Sequence, residues 1–426
     1  MRLILASVLL SVIFTLTALA GTPKKWFPGH YIDHNPDDYT TSNSDLTFLK
    51  SADGALFQGM FMYVTWGQIE TTKDTYRWDK IDGVLNALPQ GKKLAVSLSW
   101  QGWSKLQACP SDMLGKVEFD SGQYVKKGLY PFATIYMTST MNRYLDFVKK
   151  FAERYDTNPK LAFVATAEIP LESEVKGPQY SHVTARSNIF RLPSEFIPLF
   201  KSTPSGILGA WWSFSDNANA EPKFAADTYN AGGGFGFPDV MCLTCSGYNS
   251  HFRNEILEYA GKWPCWMGVE WSDLLPDRAG TSFPQEIIES ATKNKTNFIW
   301  WLRTNRTDEG GYNFTTQALP YLKANPSAGI STECPENINC AGETNSLNEI
   351  VKTIKISPNP VQKSLHVDGI PQNSTISVID VNGKIHIHTF HADGKLFLNV
   401  DKLSSGLYLL KIESIQKTFL RKLLKV

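Results

Sequence analysis

Two glutamates close apolar runs: Glu168 follows Phe163–Ala167, and Glu270 follows Trp266–Val269. A carboxyl group at such a place is partly desolvated, which raises its pKa and suits a general acid. Pro170, two residues past Glu168, ends any strand there. A facing pair of carboxyl groups is what glycosidic-bond hydrolysis needs. One protonates the leaving oxygen, and the second attacks the sugar or activates water. A lone strand-end glutamate is as often an ion-pair partner. Two at matching places in a repeating architecture make catalysis the stronger reading.

That architecture is an eightfold alternation. Apolar runs recur at Trp26–Ile32, Leu56–Trp66, Lys93–Trp100, Leu161–Glu168, Ile207–Phe214, Gly236–Met241, Cys265–Glu270 and Asn297–Leu302. Helical spacing separates them, at Asp45–Ala52, Trp78–Leu88, Met141–Tyr155, Ser194–Lys201, Pro222–Asn230, His251–Gly261, Pro284–Lys293 and Thr315–Lys323. Runs with little internal alternation are expected of parallel strands buried on both faces. Eight such units predict an α/β fold, a (β/α)₈ TIM barrel over residues 21–324. Glu168 and Glu270 then end the fourth and seventh strands, at the carboxyl-terminal face where barrel chemistry sits. An open doubly wound sheet would carry a glycine-rich phosphate loop after its first strand, and Pro28–His30 does not supply one. Gly232–Gly236 reads as a flexible turn.

Aromatic rings near the strand ends support a sugar substrate, because they stack on the apolar faces of sugar rings. The candidates are Trp66, Trp100, Trp212, Trp271 and Trp301, with Trp103 opening an insertion. In the pairs Trp211–Trp212 and Trp300–Trp301 one ring must point inward and one outward, so about half of these rings belong to packing. His30, Asp33, Gln101, Asp216 and Arg303 stand at strand mouths as candidate hydroxyl binders. Glu172 and Glu174 read as solvated loop charges, and Glu70 as a structural partner under its strand. The eight histidines are scattered, no zinc spacing is complete, and no Gly-x-Ser-x-Gly occurs. No metal or other cofactor is expected.

A formal net charge of +1 over 426 residues offers no field for nucleic acid or a charged membrane. Arg2, the apolar run Leu3–Leu16 and Ala18–Ala20 form a signal peptide over residues 1–20, so the protein is expected to be exported. Outside the cytoplasm cysteines pair by default. Cys334 and Cys340 are placed to close a small loop, and Cys242–Cys245 reads as a disulfide or plain thiols. Residues 325–352 have linker composition. Residues 353–426 switch to short β runs with turns at Asn382–Gly383, Asp393–Gly394 and Ser405–Gly406, which predicts a small antiparallel sandwich.

Ser357–Pro360, Asp380–Lys384, Leu403–Tyr408 and Arg421–Lys422 stand in order along this tail. Together they resemble the C-terminal sorting domain of the type IX secretion system of Bacteroidota. The resemblance implies export through the periplasm and outer membrane, to the surface or the medium, with that machinery as partner. In the barrel, Tyr63–Glu70 followed by Tyr76–Asp82 looks like the second-strand motif of the retaining (β/α)₈ glycosidases called clan A. By that resemblance Glu168 is the acid/base and Glu270 the nucleophile. The clan places Asn before the acid/base to hold the sugar 2-hydroxyl, and this chain has Ala167. The expectation is thus a secreted glycosidase, with a non-catalytic glycan-binding protein on a degenerate barrel as the alternative.

Overall fold

The computed structural model describes residues 23–34, 38–102, 106–125, 130–169, 177–209, 219–238, 252–270, 283–305, 312–341, 355–368, 370, 374–380, 383–391, 395–413 and 418–426. The signal peptide and Cys242–Cys245 lie outside these residues. The chain divides into two units, residues 1–340 and 341–426.

The first unit is built on eight strands: β1 Gly29–His34, β2 Gly59–Thr65, β3 Lys93–Ser99, β4 Leu161–Glu168, β5 Ser205–Leu208, β6 Gly234–Phe237, β7 Cys265–Val269 and β8 Phe298–Leu302. All pair in parallel with their chain neighbours, and β8 pairs with β1 to close the barrel. Between them run α1 Ser44–Leu49, α2 Trp78–Ala87, α3 Thr138–Tyr155, α4 His182–Ile189, α5 Ala220–Asn230, α6 Arg253–Glu258, α7 Gln285–Lys293 and α8 Leu319–Ala324. The strands are buried along nearly their whole length, which is why their sequence shows no clean alternation. After β4 the helical segment is α4 with a single turn at Leu192–Glu195, earlier than the spacing suggested.

The lumen is filled mostly by aromatic rings. Phe61 stacks on Trp300 with centroids 4.0 Å apart, and Phe163 stacks on Trp266 at 5.2 Å. Such rings need facing space. A Cβ on Gly236 would lie 2.0 Å from the Trp266 indole, and one on Gly234 2.5 Å from it. The glycine run read as a turn is therefore partly strand, with Gly232 alone at φ +70° making the turn. Outside the barrel, Trp66 and Trp78 pack on Phe147 of α3.

Glu70 is buried in that outer shell. It ion-pairs with Arg143 at 2.9 Å and accepts from Trp66 Nε1 at 2.7 Å and from the Asp74 N–H at 3.1 Å. Glu70→Ala would leave the buried Arg143 charge with the more distant Asp112, 3.6 Å away, which costs about 3 kcal/mol, the low end for a broken buried pair. The unfolding midpoint is expected to drop by roughly 10 °C. Thermal unfolding at neutral pH checks this, and a drop under 3 °C would rule out the buried pair.

Residues 325–340, read as linker, are part of the first unit. Ser331 N–H donates to Thr296 O at 2.7 Å, and Trp26 Nε1 donates to Thr332 O. Asn337 Nδ2 reaches Tyr229 O and Gly233 O, and Cys334–Cys340 closes its loop as a disulfide. Most of these contacts are hydrogen bonds to backbone groups, so the polar composition of a linker conceals them. Cys109 and Cys265 are buried free thiols.

The second unit holds two antiparallel sheets, with strands β9 Lys355–Ser357, β10 Ser364–Asp368, β11 Ser374–Asp380, β12 Ile385–His391, β13 Lys395–Asn399, β14 Gly406–Glu413 and β15 Thr418–Lys425. The sheet orders are β9-β10-β13 and β12-β11-β14-β15. Val361, Leu365, Val367, Ile376, Val378, Leu410, Ile412 and Leu423 form a core of its own. The tail motifs are joints in this fold. Asn359 bonds Lys422 O and Leu424 N–H, Asp380 receives the Lys384 N–H, and Tyr408 OH donates to Ser404 O.

Candidate active site

Tyr63 points into the lumen from β2, and its ring packs on Phe61 at 5.1 Å. Its hydroxyl lies 2.9 Å from Glu168 Oε1 and 3.3 Å from Glu270 Oε1. Two bonds to one atom hold those two carboxyl oxygens no farther apart than the sum of the bonds. One oxygen of each carboxyl group therefore faces the same cleft, as a two-carboxylate mechanism requires. Glu168 ends β4 where Leu208 of β5 stands beside it, past a register slip between Gly206 and Leu208. Thr166 Oγ1 accepts the Leu208 N–H and stitches that slip. Glu270 directly follows β7. Tyr312 OH donates to Val269 O at 2.8 Å and to Leu302 O, clamping the ends of β7 and β8 beside Glu270.

Burial, then the charges of Glu168, Glu270 and Asp33, pushes the Tyr63 phenol well above its ordinary range, so it stays a proton donor. Tyr312 is raised by burial and by Asp33 and Glu270. Asp33 stands at the end of β1, beside Leu302 of β8. Burial, with Asp45 and Glu168 adding, carries it up to about 8 against the opposing pull of His34.

The structure assigns several sequence candidates to other places. Trp66, Trp100 and Trp301 are fully buried in the shell between strands and helices, where Trp100 packs edge-on against Tyr144. His30 also faces this shell. Its Nδ1 accepts from Trp301 Nε1 at 3.0 Å, and burial lowers its pKa to about 3. Arg303 ion-pairs with Asp45 and lies 4.2 Å over the Phe48 ring, and Asp45 holds His34 Nδ1 at 2.7 Å. Trp66, Trp100, Trp301 and His30 thus pack the scaffold, while Arg303 keeps a quarter of its side chain exposed beside its ion pair. Trp300, not Trp301, is the lumen ring of its pair. Gln101 is buried, and its carbonyl accepts from Thr65 and Ser99. Ala167 faces the helices, so a side chain there does not reach the mouth. Trp103, Trp212, Asp216, Trp271, Glu172 and Glu174 lie outside the described residues.

Tyr63 and Tyr312 carried no role in the sequence reading. Tyr63 had a signal: Phe61, Tyr63 and Thr65 alternate with Met60, Met62 and Val64, which marks the hydroxyl-bearing face as the inner one. Tyr312 had none.

Among curated proteins no sequence matches this chain. Solved structures similar to it include the catalytic domain of β-amylase from Paenibacillus polymyxa, 11% identical, covering 73% of this chain and 100% of that one with a TM-score of 0.45. Endo-glycoceramidase II from Rhodococcus sp. is 11% identical, over 88% of this chain and 98% of that one, at 0.41. PorZ, a surface component of the type IX secretion system of Porphyromonas gingivalis, is 15% identical over 21% of this chain and 13% of its own, at 0.18. Residues 355–426 match the family described as secretion system C-terminal sorting domain. Among the described residues no helix is long and apolar enough to cross a membrane. The chain therefore carries a C-terminal sorting domain of a secretion system, a mark of export to the cell surface or beyond, behind a closed (β/α)₈ barrel.

Proposed function

We propose that the protein is a glycoside hydrolase exported by the type IX route, cleaving a polysaccharide or oligosaccharide by the retaining two-carboxylate mechanism. The observation that carries this reading is the single Tyr63 hydroxyl shared by Glu168 and Glu270 at the carboxyl-terminal mouth of the barrel. Glu168, as the acid, gives its proton to the leaving oxygen while Glu270 attacks the anomeric carbon and forms a glycosyl ester. Glu168 then takes a proton from water, which breaks the ester and restores both groups. Attack by Glu270 itself, rather than by a water it activates, is what the resemblance to the retaining clan implies. Tyr63 favours the charged form of the carboxylate it donates to.

Reducing-sugar release from a panel of polysaccharides, set beside binding to the same panel, is the test. For the glycan-binding alternative, binding without release is the expected result. Tyr63→Phe keeps the lumen packing and removes the shared donor. Its kcat/KM is expected to fall by about 10–100-fold, on the scale of one hydrogen bond to a charged group. The acid limb of its pH profile should move upward, since the nucleophile loses a donor that favours its ionised form. An unchanged profile would dissociate Tyr63 from the chemistry.

A further inference from the structure

The mechanism above uses Glu168, Glu270 and Tyr63, and leaves one buried carboxyl group at the mouth without a task. Asp33 lies at the end of β1, level with Phe61 of β2 and Leu302 of β8. It is 8% exposed, and its Oδ1 has no hydrogen-bond partner among the described residues. A buried polar atom of this kind is costly and rare, and calls for a reason. The groups around it come from several elements. On its own strand are the His34 side chain and backbone N–H, and on α1 there is Asp45. On β4 there is Glu168, while Tyr63 on β2 and Tyr312 before α8 both feel the Asp33 charge. Asp33 thus shares the space in which Tyr63 joins the two glutamates. Ala167, beside Glu168, has no polar atom and faces the helices.

We propose that Asp33 is a substrate-contacting residue, its free Oδ1 partnering a hydroxyl of the neutral sugar ring seated against Glu168 and Glu270. The proposal rests on the glycosidase reading. Its chemistry suits that partner. Raised from 3.8 to about 8, the group is mostly an uncharged acid at neutral pH, able to donate as well as accept. A hydroxyl satisfies it, whereas a sugar carboxylate would meet Glu168 and Glu270 as like charges.

Asp33→Ala and Asp33→Asn in the full chain provide the test. The probes are cellotetraose, xylotetraose, mannotetraose and laminaritetraose, with calorimetric affinity, reducing-sugar release and thermal unfolding as readouts. Wild type is expected to bind and cleave at least one probe. Asp33→Ala should lose affinity and kcat/KM for it by tenfold or more without a lower unfolding midpoint, as removal of an unsatisfied group predicts. Asp33→Asn, equal in size and still able to donate and accept, should recover most of the affinity. Its midpoint should rise above wild type by a margin that grows from about pH 4 to about pH 8. Over that window the unfolded chain has released the proton that folded Asp33 retains, so wild type alone loses stability. Affinity and kcat/KM within twofold of wild type in Asp33→Ala, with wild type active, would overturn the Asp33 proposal alone. Midpoints lowered in both variants would do the same by making Asp33 structural, and Asp33→Asn decides by these criteria if the alanine variant does not fold. A wild type that neither binds nor cleaves any probe would remove the glycosidase reading, and this proposal with it.

Discussion

Glu270→Gln is expected to abolish turnover on every substrate the wild type cleaves, by a factor on the order of 10⁴ or more, the scale on which removing a covalent nucleophile acts. The amide keeps the shape of the side chain and the contact with Tyr63 but has no anionic oxygen to attack with. Glu168→Gln is expected to behave differently. On a natural glycoside, whose leaving oxygen needs a proton, the loss should be about 10²–10⁴-fold. On an aryl glycoside with an acidic leaving phenol the first step should survive, and the glycosyl ester should accumulate because no base activates water. Azide, which needs no base, should then restore turnover in Glu168→Gln and leave Glu270→Gln inert. Steady-state kinetics on both substrate types, with and without azide, read this out. Equal losses on good and poor leaving groups in both variants would dissolve the assignment of roles. Full activity in either variant would withdraw the pair, and Glu172 and Glu174 would be the next to replace.

Deleting residues 353–426 is expected to remove the protein from the cell surface and medium of a host with the type IX machinery, nearly completely, and leave it in the periplasm. The tail has a hydrophobic core of its own and its motifs brace its own turns, so it is a separable address. The cut falls beyond Cys340, where the first unit ends, so the periplasmic product should keep its activity. Quantitative blotting of the three fractions, with an activity assay on each, checks both halves. Unchanged surface and medium levels would remove the sorting role. A cut at residue 324 is a different experiment, since it strips away the Asn337 and Ser331 bonds and the disulfide that belong to the barrel unit.

The barrel was legible because its strands are buried on both faces and keep a steady rhythm with amphipathic helices. The place of the two glutamates at strand ends was legible because a carboxylate ending an apolar run is conspicuous. Side-chain direction was not. In strands apolar on both faces the inward phase cannot be read from composition, so Trp300 and Trp301 look equivalent while only the first enters the lumen. Trp66 and Trp100 fall just past strand ends, where the chain turns into the helical shell. Arg303 is engaged by Asp45, a residue 258 positions away in sequence, which no local pattern reveals. The strap over residues 325–340 was hidden because backbone, amide and indole bonds, a disulfide and a few scattered apolar residues hold it, with no periodic pattern to mark them.

Tyr63 belongs at once to the packed lumen and to the carboxyl pair. Its ring is gripped by Phe61, which is gripped in turn by Trp300. Under the proposed mechanism, scaffold and chemistry are therefore not free to drift apart over generations. A substitution in the lumen that merely loosens packing also shifts the hydroxyl that both glutamates share, so selection on catalysis polices the core. Variation in the loops is spared that constraint. A lineage built on this barrel would diversify in what it grips long before it changed how it cuts.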